Sequence, residues 1–286
     1  MSIQEAIFPK RLEIELSSKC NLHCVYCPRN YVENLNGYME LELFKKIIEE
    51  TANYPQTVIV LHRRGESMLH PMFNEILYHV ANKFEEVQMA TNSTLLTQDK
   101  FEAIVKGLTF LSFSLDPPAT YNKTRIPAKY DKVERNILNF LEFNKGRVRT
   151  QASMVKTDNV LEEDVLVFKE IWRDRVDRVR IYEEHSINGV FGAMQIPRKN
   201  RQPCVMPSYE ILIYDNGHVG RCNHDWNGDP MGDLNHSTIR EIWHNRKYED
   251  LREQHQRLEF KDIVCKECDS WYPEIGIQGT GEVLEK

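Results

Sequence analysis

An alternation limits how this chain can fold more than any other feature. Short β-rich runs stand at RLEIEL (11–16), TVIVLH (57–62), VQMAT (87–91), FLSFSL (110–115), VRTQASMV (148–155) and RVRIY (178–182). Between them lie stretches of helical periodicity at 41–54, 74–84, 97–108, 132–144 and 161–174. In the first of these, Leu43, Phe44, Ile47 and Ile48 share one face. Thr97 with Asp99 in the following turn suits a helix start. Tandem β/α units of this kind predict an α/β fold, a partial (β/α)6 TIM-like barrel of parallel strands with right-handed crossovers. Beyond residue 195 the pattern changes. IPRKNRQPCVMP reads as a linker, EILIYDNGHVGRC as a hairpin turning at Asn216-Gly217, and 237–256 as one helix. The expected division is a barrel over 1–197 and a small C-terminal domain over 198–286.

Composition removes several classes of function. The 286 residues are 41% hydrophobic and 28% charged, enough apolar content for a substantial core and unlike a disordered chain. A net charge of −6 without a long basic stripe argues against nucleic acid as a partner. No apolar run approaches the roughly 18 residues of a membrane span. MSIQEAIFPKR lacks the apolar core of a secretion signal, so a cytoplasmic protein is expected. Thiols stay reduced there, and clustered cysteines then suggest metal binding or catalysis.

The clustering is pronounced. Of seven cysteines, three fall in SKCNLHCVYCPR as Cys20, Cys24 and Cys27, just after the first strand run. In a parallel barrel that loop opens on the functional face. Three thiolates can hold a four-iron cluster and leave one iron open for a chelating cofactor; zinc with His23 as a fourth ligand is the alternative. The other four, Cys204, Cys222, Cys265 and Cys268, end in a C-x2-C pair and can close an all-thiolate site, either a zinc ribbon or an iron–sulfur cluster.

CNLHCVYC, with Tyr26 beside the third cysteine, resembles the signature of the radical S-adenosylmethionine (radical SAM) enzymes. LHRRGESMLHP (61–71) resembles the family's GGEP-type segment, which holds the cofactor's amino group; Gly65 and Glu66 match, while Arg64 and Ser67 replace a glycine and the proline. ATNSTLLT (90–97) is similar to its TNGTLLT segment and would place Asn92 and Ser93 near the cofactor. SFSLDPP (112–118) is similar to the SLDG-type segment and implies Ser114 and Asp116 as ribose or methionine neighbours. YNKTRIPAKYDKVERNI (121–137) resembles the segment whose arginine, here Arg125, meets the cofactor carboxylate. The region from Cys222 through MGDLN and REIWH to Cys268 resembles the auxiliary-cluster extension called SPASM, or its one-cluster form, Twitch; four cysteines fit the latter.

The resemblance implies S-adenosylmethionine, two [4Fe–4S] clusters and a flavodoxin- or ferredoxin-type electron donor. Three plus four cysteines use every thiol, so none remains to return a hydrogen atom as an epimerase often requires. A closed auxiliary cluster can instead accept the electron left when a C–OH carbon is oxidised to a ketone. The expected activity is therefore dehydrogenation of a small polar substrate, an amino sugar or aminocyclitol. Epimerisation and the modification of a peptide side chain are alternatives, and a zinc-stabilised binding module is the reading outside enzymes. Only 19 residues precede Cys20, so an N-terminal peptide-recognition domain is not expected. Arg180, Tyr182 and Glu183, at the end of the sixth strand run, are the candidates for substrate contact and for taking the carbinol proton.

Overall fold

The structure is a computed structural model that describes residues 6–33, 35–184, 200–226, 228–261, 263–268, 271–272 and 281–286. Its centre is a run of six parallel strands: β1 (Arg11–Ile14), β3 (Val58–Val60), β4 (Val87–Thr91), β5 (Phe110–Ser114), β7 (Arg149–Lys156) and β8 (Arg178–Glu183). The helices between them are α1 (Leu41–Thr51), α2 (Phe73–Val80), α3 (Gln98–Gly107), α4 (Pro118–Thr124), α5 (Tyr130–Asn144) and α6 (Glu162–Trp172). Each long helix buries one stripe, as α5 does with Tyr130, Val133, Ile137 and Phe140. Burial of these stripes against the outer face of the sheet forms the core. The partial barrel of parallel β/α units is present as expected.

A two-residue ribbon lies apart from the main sheet: β2 (His23–Cys24) pairs antiparallel with β6 (Arg125–Ile126), with Cys24 opposite Arg125. Sequence periodicity gives no sign of it, because two residues have no period.

The C-terminal region adds β9 (Glu210–Ile213), β10 (His218–Gly220), β11 (Gly232–Asp233), α7 (Ile239–Trp243), α8 (Arg246–Arg257), α9 (Ile263–Glu267) and β12 (Gly281–Glu285). β9 and β10 form the expected hairpin, with Gly217 at φ +86° in its turn. Both edges of the six-stranded core are covered from this region. β9 pairs in parallel with β1, and β12 pairs antiparallel with β8, giving one ten-stranded sheet. The expected single helix over 237–256 is two helices instead. Asn245 accepts from the Tyr248 backbone N–H at 3.0 Å and starts α8 afresh. The expected boundary at 197/198 lies outside the described residues.

Candidate active site

After β1 the chain turns across the barrel mouth and brings Cys20, Cys24 and Cys27 to the wall of one cavity of about 360 Å³. Burial raises all three thiol pKa values, that of Cys24 to about 12. Buried thiolates need a compensating cation, and this donor set fits a metal centre with one position left open. Among the described residues, no three Cys, His, Asp or Glu side chains converge on a point suited to a single ion. The three sulphurs are instead shared out along the cavity wall. His23, the alternative zinc ligand, is exposed and does not line it.

The ribbon sets Arg125 opposite Cys24, and Asp116 fixes both Arg125 and Tyr26. The Asp116 carboxylate accepts from the Tyr26 hydroxyl at 2.9 Å and from Thr124 Oγ1 at 2.6 Å. It also pairs with the Arg125 guanidinium at 3.1 Å. Burial opposes the Arg125 charge, but Asp116 and its other neighbours outweigh it and raise its pKa. Arg125 and Tyr26 line the cavity; Asp116 stands behind them and acts through them.

Gly65 lies against the cysteine loop. A Cβ there would sit 2.2 Å from the Ser17 carbonyl oxygen and 2.3 Å from that of Lys19, so no other residue fits without moving backbone. Glu66 lines the cavity, and its carboxylate is held by the Thr91 hydroxyl and by the Met68 and Asn92 backbone N–H groups at 2.8–3.1 Å. Burial raises the Glu66 pKa. Ser67 turns away and donates to the Leu61 carbonyl at 2.6 Å. Arg64 is spent on Glu15, at 2.7 and 2.8 Å, and lies 3.9 Å above the Tyr214 ring centre. That role accounts for the arginine where the family segment has glycine: the side chain braces β1 against β9.

Asn92 lines the cavity and reaches Asn21 at 2.9 Å. Ser93 is fully buried at φ +61°, in the left-handed region, and is not on the cavity wall. Ser114 is on it. The structure therefore gathers Tyr26, Gly65, Glu66, Asn92, Ser114 and Arg125 round the three thiols, and leaves Ser67, Ser93 and Asp116 behind that wall.

The cavity opens into the barrel lumen, about 820 Å³ and polar. Gln151 donates to Ser112 at 2.8 Å, and Ser112 and Ser153 are 3.2 Å apart. Arg180 lies on the lumen wall, 4.9 Å from the Tyr182 ring centre, while Tyr182 and Glu183 border the thiol cavity.

The other four cysteines share a second, narrower cavity. Cys222 feels Cys265 and Cys268, and Cys204 feels Cys268, on top of a burial that raises both pKa values. Arg201 and Arg221 also border this cavity. Four cysteines gathered on one cavity wall fit a closed, cationic metal centre.

Residues 14–171, over half of the chain, match the Radical SAM superfamily. The chain belongs to that superfamily. Residues 204–269 match the SPASM iron–sulfur cluster-binding domain and include all four C-terminal cysteines. This radical SAM enzyme thus has S-adenosylmethionine and iron–sulfur clusters as its cofactors. It is 22% identical to the S-adenosyl-L-methionine-dependent 2-deoxy-scyllo-inosamine dehydrogenase of Niallia circulans over 268 residues, 91% of this chain and 92% of that one. The crystal structure of BtrN with AdoMet and 2-DOIA superposes at TM-score 0.60 with 20% identity, covering 93% and 98% of the two chains. Streptococcus suis SuiB bound to its precursor peptide superposes at 0.72 with 13% identity, covering 94% and 73%. These likenesses show the fold. Three other curated relatives, matched more strongly in sequence, are spanned over only 31%, 61% and 24% of their length.

The radical SAM cavity also contains residues that sequence reasoning did not assign to it. His62 borders it, and burial lowers the His62 pKa to about 4. The Ala90 backbone N–H donates to its Nδ1 at 2.9 Å, which leaves the neutral ring's proton on Nε2. Glu184 follows Glu183 onto the wall, with its pKa raised by burial and by Asp158. Arg63 stands on both the cavity and the lumen. Their place at the C-terminal ends of β3 and β8 was the available signal.

Proposed function

We propose that this enzyme oxidises a C–OH group of a small polar substrate, an amino sugar or aminocyclitol, to a ketone. The observation that carries the reading is the partition of the thiols: three on the larger cavity, four on the second, and none left over. An epimerase would need a hydrogen-atom donor, and no eighth thiol exists. When bound, S-adenosylmethionine and two [4Fe–4S] clusters supply a hydrogen-abstracting radical and take up the one electron that remains on the substrate carbon.

The chain's own residues do the rest. Cys20, Cys24 and Cys27 hold one cluster; Cys204, Cys222, Cys265 and Cys268 hold the other. Arg125, kept charged by Asp116, meets the cofactor carboxylate, with Asn92, Ser114 and the Tyr26 ring beside it. Glu183 and Glu184 suit the ammonium and hydroxyls of the substrate, and the raised pKa of Glu184 equips it to take the carbinol proton. Tyr182 and Arg180 orient the substrate in the lumen. The electron donor is of flavodoxin or ferredoxin type, and the setting is cytoplasmic. No helix among the described residues is long and apolar enough to cross a membrane.

The test is iron, sulfide and zinc per chain after anaerobic reconstitution, then a screen of amino sugars and aminocyclitols for a ketone formed with 5′-deoxyadenosine. About eight irons and a ketone product support the reading. About four irons with one zinc remove the electron acceptor and overturn it. A Cys222→Ala variant that still forms 5′-deoxyadenosine but no ketone supports the acceptor role; full turnover refutes it. The width of the lumen, together with the likeness to peptide-bound SuiB, favours a second reading: modification of a peptide side chain. Peptides that raise 5′-deoxyadenosine where amino sugars do not would establish it.

A further inference from the structure

Arg63 lines the three-cysteine cavity and reaches the Cys222 loop that borders the other. Its side chain is only 4% exposed, at the end of β3. One edge of the guanidinium pairs with Glu13 of β1 at 3.1 Å. The same fork donates to the Asn223 side-chain oxygen and to the Cys222 carbonyl, the latter at 3.3 Å. Asn223 in turn donates to Glu210 of β9 at 3.1 Å. The Tyr214 and Trp226 rings lie 5.9 and 5.7 Å from the guanidinium carbon. A buried cation therefore spans the barrel mouth and the backbone of a cysteine in the second cavity.

We propose that Arg63 is a positioning residue for the auxiliary cluster: it clamps the Cys222 loop onto the barrel mouth and makes that cluster a better electron acceptor. The geometry supplies two separable effects. The fork fixes the carbonyl of Cys222 and the side chain of Asn223, which sets where the second cluster stands relative to the substrate. The charge favours the more negative, reduced cluster, and removing it strands the Glu13 carboxylate unpaired nearby. The inference rests on the reading that the four C-terminal cysteines hold an iron–sulfur cluster.

The experiment uses the reconstituted full chain and its Arg63→Gln and Arg63→Lys variants. Iron and sulfide are counted, and each cluster's midpoint potential is followed by EPR during a redox titration. In Arg63→Gln the equilibrium for reducing the auxiliary cluster should weaken about tenfold, which is about 59 mV for one electron. The three-cysteine cluster should keep its midpoint. Arg63→Lys keeps the charge but loses the fork, so its auxiliary EPR signal should change shape while its midpoint moves less. Should Arg63→Gln fail to retain the cluster, Arg63→Lys alone decides: an altered auxiliary signal supports the clamp, and a wild-type signal and midpoint overturn it. Fully loaded variants that both titrate like the wild type also overturn it. If the wild type itself holds no second cluster, the underlying reading fails, and that shows before any variant is made.

Discussion

Replacing Asp116 by asparagine keeps the side chain's shape and removes its charge. Arg125 is buried, stays charged at any accessible pH, and would then face only neutral acceptors, the new amide oxygen and the Leu115 carbonyl at 2.9 Å. Removing one member of a buried ion pair leaves the other uncompensated, at a cost of about 3–5 kcal/mol. For a domain of this size that is a fall in melting temperature of roughly 6–20 °C. The Tyr26 hydroxyl can still donate to the amide oxygen, so the loss should come mainly from the charge. A double-mutant cycle with Arg125→Met isolates that part: with the guanidinium gone, Asp116→Asn should cost about 3 kcal/mol less. Thermal melting by circular dichroism on the four proteins measures it. A destabilisation under about 1 kcal/mol, or equal effects with and without Arg125, would falsify the claim that Asp116 serves to hold Arg125 charged. S-adenosylmethionine binding, read by calorimetry, should weaken in parallel.

Gly65→Ala should push the cysteine loop outward, since the clash is with two backbone carbonyls that cannot rotate away; iron at the three-cysteine site should fall while the four-cysteine site stays loaded, and a fully loaded variant with wild-type melting counts against the packing. His62 should make the protein acid-sensitive. Its folded pKa of about 4 lies below the ordinary 6.5, so the unfolded chain takes up the proton first, and stability present above pH 6.5 is lost as the pH falls toward 4. At pH 5 the loss is roughly 2 kcal/mol. His62→Gln should flatten the pH dependence of urea unfolding by that amount; a curve parallel to the wild type rejects it.

Much of the site was legible because short-range chemistry carries it. The C-x3-C-x2-C spacing places Cys20, Cys24 and Cys27 on one loop, and the strand-end positions put Asn92, Ser114 and Tyr182 round one mouth. What was hidden depends on pairing across long stretches of chain. Glu210-Ile211-Leu212-Ile213 is buried on both faces, as a strand inside a sheet must be, although the same run also fits a small separate hairpin. Only the partner shows which. The charges followed the same rule. The side chains of Arg63 and Arg64 are buried because Glu13 on β1 and Glu15 just beyond it meet them. Asn245 did carry a local signal, as a capping residue inside an otherwise helical run.

The pairing of β9 and β12 has a consequence for anyone who cuts the gene. Among the described residues, every side chain round the three-cysteine cavity comes from residues up to Glu184. A fragment ending there would look like a minimal radical-forming unit. It would nevertheless expose β1 along the edge where Arg11 to Ile14 meet Glu210 to Ile213, and β8 along the edge where Arg178 to Tyr182 meet Glu285 to Gly281. Two long open edges on one sheet are templates for self-association. During synthesis the nascent barrel faces the same hazard until residues 210–285 leave the ribosome, so the C-terminal region also shields the chain from aggregation, whatever its cysteines hold.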